Sequence, residues 1–208
     1  MSILYCLDLI GVAVFAFSGA LVAGKKGLDW VGVAALAAVT ALGGGTLRDI
    51  LLNKDVVFWM KDPTYLWLIL GASLFTMMYV RFWKPPFTTL LYADALGLAL
   101  FTITGAQIAE NQGMTGIIVV LMGIMTGTAG GVLRDVLSGE VPLLFRSTET
   151  LYSTASAIGI VCYLALQYLG CAKTIAAFIG IFIVACIRFF AIICGLRLPA
   201  FHVANEEG

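Results

Sequence analysis

Charge is scarce in this chain, and the scarcity excludes most soluble folds. Of 208 residues only 12% are Asp, Glu, Lys or Arg, against 61% hydrophobic, and the mean hydropathy is +1.02. Soluble domains carry about 25% charged residues, so this chain cannot cover itself with a polar surface and belongs in a bilayer. The formal net charge is zero, so no basic field recruits nucleic acid. Histidine occurs once, at His202 in a polar tail; catalysis or metal binding built on imidazole has almost no material. The five cysteines, Cys6, Cys162, Cys171, Cys186 and Cys194, form no CxxC pair and lie mostly in apolar runs. They read as small hydrophobes, not as a disulfide frame or a metal site. No catalytic residue, cofactor or tightly bound metal is expected. Residues 1–23 lack a positive n-region and carry Asp8, which argues against a cleaved signal peptide.

What the chain has instead is long apolar runs. A helical span needs about 20 apolar residues, and seven candidates stand at roughly 3–23, 29–53, 63–83, 88–109, 114–139, 148–170 and 173–195. Pro63, Pro85, Pro86 and Pro199 fall at their edges, where proline punctuates helices, and Asp62-Pro63 looks like an N-cap with the first helical turn. Loops after the first, third and fifth spans, with the C-terminal flank, hold Lys25, Lys26, Arg81, Lys84, Arg146 and Arg197; the other loops hold Lys54, Lys61 and Lys173. Positive charge marks the cytoplasmic side, which puts the N-terminus outside and the C-terminus in the cytoplasm. Lys25, Lys26, Arg81 and Lys84 then face inner-leaflet lipid.

The chain also repeats itself. A shift of 86 residues aligns positions 4–64 with 90–150 without a gap, at 18 identities in 61 positions. Asp8 meets Asp94, Gly19-Ala20 meet Gly105-Ala106, Thr40 meets Thr126, and Leu47-Arg48-Asp49 meet Leu133-Arg134-Asp135. Shared hydrophobicity alone would not superimpose Asp, Arg and Asp at fixed spacing. The expected fold is all-α and integral to the membrane: one domain over 1–198, made of repeat one (1–86), repeat two (87–172) and an extra helix (173–195), then a tail at 199–208. Three spans per repeat invert the second copy, and such folds keep a polar site near mid-depth where interrupted helices meet.

The most unusual string is GGGTLRDIL at 43–51, echoed as AGGVLRDVL at 129–137. Gly43, Gly44 and Gly45, with Gly127, Gly130 and Gly131, predict that the second and fifth spans bend or unwind and expose carbonyls to a hydrated path. The alternative is close packing, since Gly123, Gly127 and Gly131 stand four apart, the small-xxx-small spacing that lets helices touch. Arg48-Asp49 and Arg134-Asp135 follow one turn later. They read either as a polar lining or as pairs joining the repeats, Arg48 to Asp135 and Arg134 to Asp49. Asp8 and Asp94 lie early in the first helix of each repeat and serve to concentrate cations, to sit solvated at the interface or to bind the facing repeat's arginine. Ser18, Thr104, Thr40, Thr126 and Thr128 line a path or bond back to their own helices.

The pattern GGGTLRD repeated as AGGVLRD, with spans arranged three plus three plus one, resembles the bacterial trimeric intracellular cation (TRIC) channel family, also described as a glycine-transporter domain family. The resemblance covers residues 1 to about 198. It implies a homotrimer in the bacterial inner membrane, with one pore inside each subunit between the two repeats. It implies conduction of monovalent cations, chiefly potassium with sodium second, through a pore lined by the first two helices of each repeat and kinked at Gly43–Gly45 and Gly127–Gly131. Ala129 stands where the second copy would have its first glycine, and the Lys-Glu-Val string of animal relatives is missing, so phosphoinositide binding is not implied. A secondary transporter of a small zwitterion such as glycine uses the same parts. A membrane enzyme is disfavoured, because two matched repeats give two similar environments where acid–base chemistry wants different ones.

Overall fold

The structure, a computed structural model, describes residues 3–83, 85–146 and 151–196. Lys84, Arg197, Pro199, His202 and the tail lie outside the described residues. Every regular element among the described residues is helical: α1 (Ile3–Lys25), α2 (Trp30–Leu51), α3 (Phe58–Lys61), α4 (Thr64–Phe82), α5 (Phe87–Asn111), α6 (Gly116–Leu137), α7 (Tyr152–Tyr168) and α8 (Lys173–Cys194), with a 3-10 turn at Leu143–Phe145. Six of these, α1, α2, α4, α5, α6 and α8, are long and apolar enough to cross a membrane. The sixth expected span is represented by α7, whose 17 residues reach about 25 Å at 1.5 Å per residue, short of the ~30 Å hydrocarbon core. The four-residue α3 and the 3-10 turn were not expected. They occupy matching places, each following a glycine-bearing helix. The expected Asp62 cap is displaced by one residue: Pro63 stands at the N-cap of α4 without a side-chain cap bond, and Asp62 before it forms an Asx turn, its Oδ1 accepting from the Thr64 amide at 2.9 Å.

α1 and α5 form the centre. Phe15 and Phe101 are almost fully buried and meet at 5.2 Å between ring centroids. Each ring lies against the other helix's matched glycine, Phe101 on Gly11 and Phe15 on Gly97. α4 packs on α1, and α8 on α5 and α7, leaving Trp67, Phe75, Phe182 and Ile193 exposed on the outside.

α2 and α6 cross antiparallel, and glycine decides how closely. A Cβ on Gly44 would overlap the backbone carbonyl oxygen of Thr126, and one on Gly130 would overlap that of Thr40. Position 44 therefore faces 126 while 40 faces 130, so the two chains run in opposite directions about a crossing at Leu42 and Thr128. The helices continue without a break through Gly43–Gly45 and through Gly127–Gly131. The unwound segments expected there are replaced by backbone contact. A helix has its own hydrogen bonds satisfied, so in lipid it gains more by bringing a neighbour close than by opening.

Candidate functional site

The threonines at the crossing serve their own helices. Thr40 Oγ1 donates to the Leu36 carbonyl at 2.6 Å, and Thr126 Oγ1 donates to the Met122 carbonyl at 2.6 Å. Their outer sides wall the neighbouring glycines: a Cβ on Gly19 would stand 2.6 Å from Thr40 Oγ1, and one on Gly105 2.6 Å from Thr126 Oγ1. The Gly123, Gly127 and Gly131 stripe of α6 faces α5, against Thr102, Leu98 and Asp94. Thr128 is buried at the crossing itself.

Six residues past the crossing, each helix carries its Arg-Asp pair. Arg48, Asp49, Arg134 and Asp135 are at most 4% exposed. Each arginine bonds its own neighbour: Arg48 Nε donates to Asp49 Oδ1 and Arg134 Nε to Asp135 Oδ1, both at 2.8 Å. The other carboxylate oxygen is fixed by the segment that follows, Asp49 Oδ2 accepting from the Phe58 amide at 3.0 Å and Asp135 Oδ2 from the Leu143 amide at 2.9 Å. That is the work of α3 and the 3-10 turn: each presents a backbone N–H to a buried carboxylate. The expected pairs Arg48–Asp135 and Arg134–Asp49 do not form. At 1.5 Å rise per residue the two clusters lie about 9 Å either side of the crossing, so about 18 Å apart along it, beyond an arginine's reach.

The clusters match in composition and differ in closure. In the α6 cluster Arg134 Nη1 donates to Asp94 Oδ1 at 2.8 Å and to Ser18 Oγ at 2.5 Å. Ser18 belongs to repeat one, so this contact ties the halves together. The counterparts 86 residues away are Arg48 Nη1, Asp8 Oδ1 and Thr104 Oγ1. All three are buried without a hydrogen-bond partner among the described residues. Asp8 is 7% exposed and accepts at Oδ2 from the Tyr65 hydroxyl at 2.8 Å; neither it nor the fully buried Asp94 is solvated at an interface. Lys54 Nζ joins Asp49 Oδ1 at 3.0 Å.

The sequence matches the family model described as Glycine transporter twice, over residues 5–81 and 91–168, once in each half. It is 42% identical to a UPF0126 membrane protein of Vibrio cholerae over 98% of this chain and 85% of that protein. It is 41% identical to the UPF0126 inner membrane protein YadS of Escherichia coli K12, over 99% of each. The TRIC trimeric intracellular cation channel orthologue from Rhodobacter sphaeroides superposes with a TM-score of 0.89 at 37% identity, covering 94% of this chain and all (100%) of that one. A prokaryotic TRIC channel superposes at 0.86 with 33% identity, covering 94% of this chain and 98% of that one.

The chain belongs to the TRIC/UPF0126 family. Like YadS and the channels it superposes on, it is a multi-pass membrane protein.

In this TRIC-family chain the end of the seam beside Asp135 opens into a cleft of about 300 Å³, lined by Lys25, Lys26, Asp135, Glu140, Leu143 and Arg146. Lys26 Nζ bonds Glu140 at 2.5 Å and Arg146 Nη2 bonds it at 3.1 Å, strapping the α1–α2 turn to the loop after α6. Lys26 first and Arg146 after it hold the Glu140 carboxyl below its ordinary 4.5. A depressed carboxyl stabilises the fold above its unfolded value and loses that contribution as pH falls through the folded one. The strap is therefore expected to be intact at neutral pH and to release only below about pH 4.5. Lys26→Gln is expected to raise the Glu140 titration midpoint, read by NMR of the labelled carboxyl; an unmoved midpoint would mean the strap does not persist in the membrane.

Four site residues were not among those expected from sequence: Tyr65 and Tyr152 beside the two outer aspartates, Lys54, and Arg188. Tyr152 is buried, with its hydroxyl near Asp94. Arg188 on α8 is 1% exposed and lies over the Tyr152 ring, its Cζ 4.6 Å from the centroid. An arginine inside the apolar run IVACIRFF is itself a signal, because an ionisable residue within a membrane span marks a functional site by default.

Proposed function

We propose that this protein is a passive channel for monovalent cations, chiefly potassium, with one path inside each subunit of a homotrimer. The path runs between two inverted three-helix repeats along the α2–α6 crossing, with α7 as the sixth span and α8 as the seventh. The observation that carries the reading is the pair of buried Arg-Asp clusters at opposite ends of one glycine seam, in a chain that superposes on TRIC cation channels. A charge in the membrane interior costs several kcal/mol unless paired or hydrated. Two such clusters on a single seam fit a route for ions, where each carboxylate attracts a cation and the adjacent arginine keeps the site weak enough to release it. On this reading Phe15 against Phe101 blocks the route at the centre and Arg134 blocks it at the α6 end. Opening then bends α2 and α6 about Gly43–Gly45 and Gly127–Gly131 and frees Arg134 from Ser18. The excess of Lys and Arg in the loops after α1, α4 and α6 supports an outside N-terminus and a cytoplasmic C-terminus, and an inner-membrane location agrees with that of YadS.

The family description as a glycine transporter favours a second reading, a carrier for a small zwitterion. Against it, each guanidinium already bonds the adjacent carboxylate, Arg48 to Asp49 and Arg134 to Asp135, so an amino acid's two ends would have to displace a buried ion pair. Reconstitution in planar bilayers under a potassium gradient separates the two. Discrete current steps reversing near the potassium potential are expected. Silence, together with saturable counterflow of labelled glycine, would replace the channel by the carrier.

A further inference from the structure

Each half of the protein buries two aspartates, and the halves balance them differently. In the first half Asp8 and Asp49 face Arg48 and Lys54. Lys54 reaches Asp49 Oδ1 at 3.0 Å while its own amide donates to the Asp49 carbonyl at 3.0 Å. In the second half Asp94 and Asp135 face Arg134, and the position 86 residues after Lys54 is Glu140. The backbone is the same there, the Glu140 amide donating to the Asp135 carbonyl at 2.9 Å, yet the side chain is acidic and turns to Lys26 and Arg146. The repeat alone leaves this half one positive charge short.

The missing charge comes from α8, which has no counterpart in the repeat. Arg188 lies over Tyr152 at 4.6 Å. The Tyr152 hydroxyl and Asp94 Oδ1 both stand 3.1 Å from where a side chain on Gly131 would begin, with Arg134 Nη2 at 3.7 Å from the same point. Tyr152, Asp94 and Arg134 thus converge on one spot, and Arg188 backs it from behind the ring. A guanidinium held this deep needs negative charge nearby; the carboxylate beside the Tyr152 hydroxyl is that of Asp94.

We infer that Arg188 is a positioning residue for the second cluster, supplying from α8 the balancing charge that Lys54 supplies in the first, so that α8 belongs to the permeation machinery and is not only a lipid-facing cover. By competing for the field of Asp94 and Asp135, Arg188 keeps Arg134 releasable. The inference rests on the channel reading above for its effect on current, but charge balance also leaves a mark on stability.

The test uses the full-length protein in planar bilayers with KCl, and its thermal unfolding in detergent. Arg188→Met is expected to lower open probability about tenfold, because Arg134 is then held by two carboxylates without a second balancing charge; tenfold corresponds to about 1.4 kcal/mol. Arg188→Lys keeps the charge and is expected to stay within about twofold of the parent. The decisive variant adds Glu140→Lys to Arg188→Met. A lysine at that position starts from the same backbone geometry as Lys54 and reaches Asp135, so both open probability and thermal midpoint recover. Glu140→Gln in the same background breaks the same strap without adding the charge and recovers neither. If Arg188→Met fails to assemble, recovery of assembly by Glu140→Lys and not by Glu140→Gln supports the assignment. Parent-like current in Arg188→Met, or equal behaviour of the two Glu140 variants, overturns it. A silent parent protein defeats the channel reading instead, and the unfolding comparison then still decides the charge-balance claim.

Discussion

Gly44→Ala is expected to destabilise the protein by about 3 kcal/mol, the upper range of overpacking penalties, and Gly130→Ala by a similar amount. The new methyl in each meets a backbone carbonyl of the facing helix, Thr126 or Thr40, which cannot rotate away as a side chain can. The three glycines of the string 43–45 are therefore unequal. At Gly43 a Cβ meets the Leu133 Cδ1 tip at 2.6 Å, and at Gly45 the Phe58 ring at 2.5 Å; both neighbours are side chains, and Gly43→Ala is the cheaper. Gly71→Ala and Gly24→Ala, where nothing lies within 4 Å, are expected to change stability by less than about 0.5 kcal/mol. Thermal unfolding of the assembled protein ranks the five. On the channel reading the larger Gly44→Leu and Gly130→Leu abolish potassium flux, because helices forced apart at the crossing cannot keep two clusters aligned on one seam. Parent-like unfolding in Gly44→Ala would mean that α2 and α6 do not touch as described, and normal conductance in Gly44→Leu would remove the seam from the mechanism.

The same glycines show what the sequence could and could not convey. Spacing of apolar runs places the long helices within a few residues, and the 86-residue shift pairs Asp8 with Asp94 and Arg48 with Arg134 from sequence alone. Those are properties of one chain read along itself. What a glycine touches depends on a second helix, and no run of residues states a distance between helices, so three glycines in a row at 43–45 favour a kink on sequence alone, while the spacing of Gly123, Gly127 and Gly131 leaves kinking and close packing equally open. The arginine partners were misplaced for a related reason. The antiparallel run of α2 and α6 agrees with three spans per repeat, but the level of the crossing is not legible in sequence, and only a crossing at Leu42 and Thr128 shows that Arg48 and Asp135 sit at opposite ends. Tyr65, Tyr152 and the Phe58 and Leu143 amides were invisible because aromatics and loop backbone carry no pattern of their own. Arg188 is legible as a charge within an apolar run, but it lies outside the repeat, where no matched residue points to what it serves.

Arg134→Met is expected to be the most damaging single change in the polar core, costing about 4 kcal/mol of stability, since removing one partner of a buried pair leaves the other charge uncompensated. Here it strands Asp94 and Asp135 together and removes the hydrogen bond from this cluster to Ser18 of the other half. Asp94→Asn is expected to lose less, because Arg134 retains Asp135 at 2.8 Å. Combined, the two should be strongly non-additive, with a coupling of about 2 kcal/mol, as residues sharing a hydrogen-bonded network couple by 0.5–3 kcal/mol. The contrast lies in the pair that sequence alone suggested. Arg48→Met and Asp135→Asn, separated along the crossing by about 18 Å, should add to within about 0.5 kcal/mol. Ser18→Ala completes the set: it frees one donor of Arg134 without touching any carboxylate, so on the channel reading it raises open probability while lowering stability by only about 1–2 kcal/mol. Unfolding free energies for the two cycles decide the wiring, and single-channel recording of Ser18→Ala decides whether Arg134 is a closure. Strong coupling between Arg48 and Asp135 would require the helices to slide past one another by several turns. A lower open probability in Ser18→Ala would make the contact a brace of the open path rather than its lock.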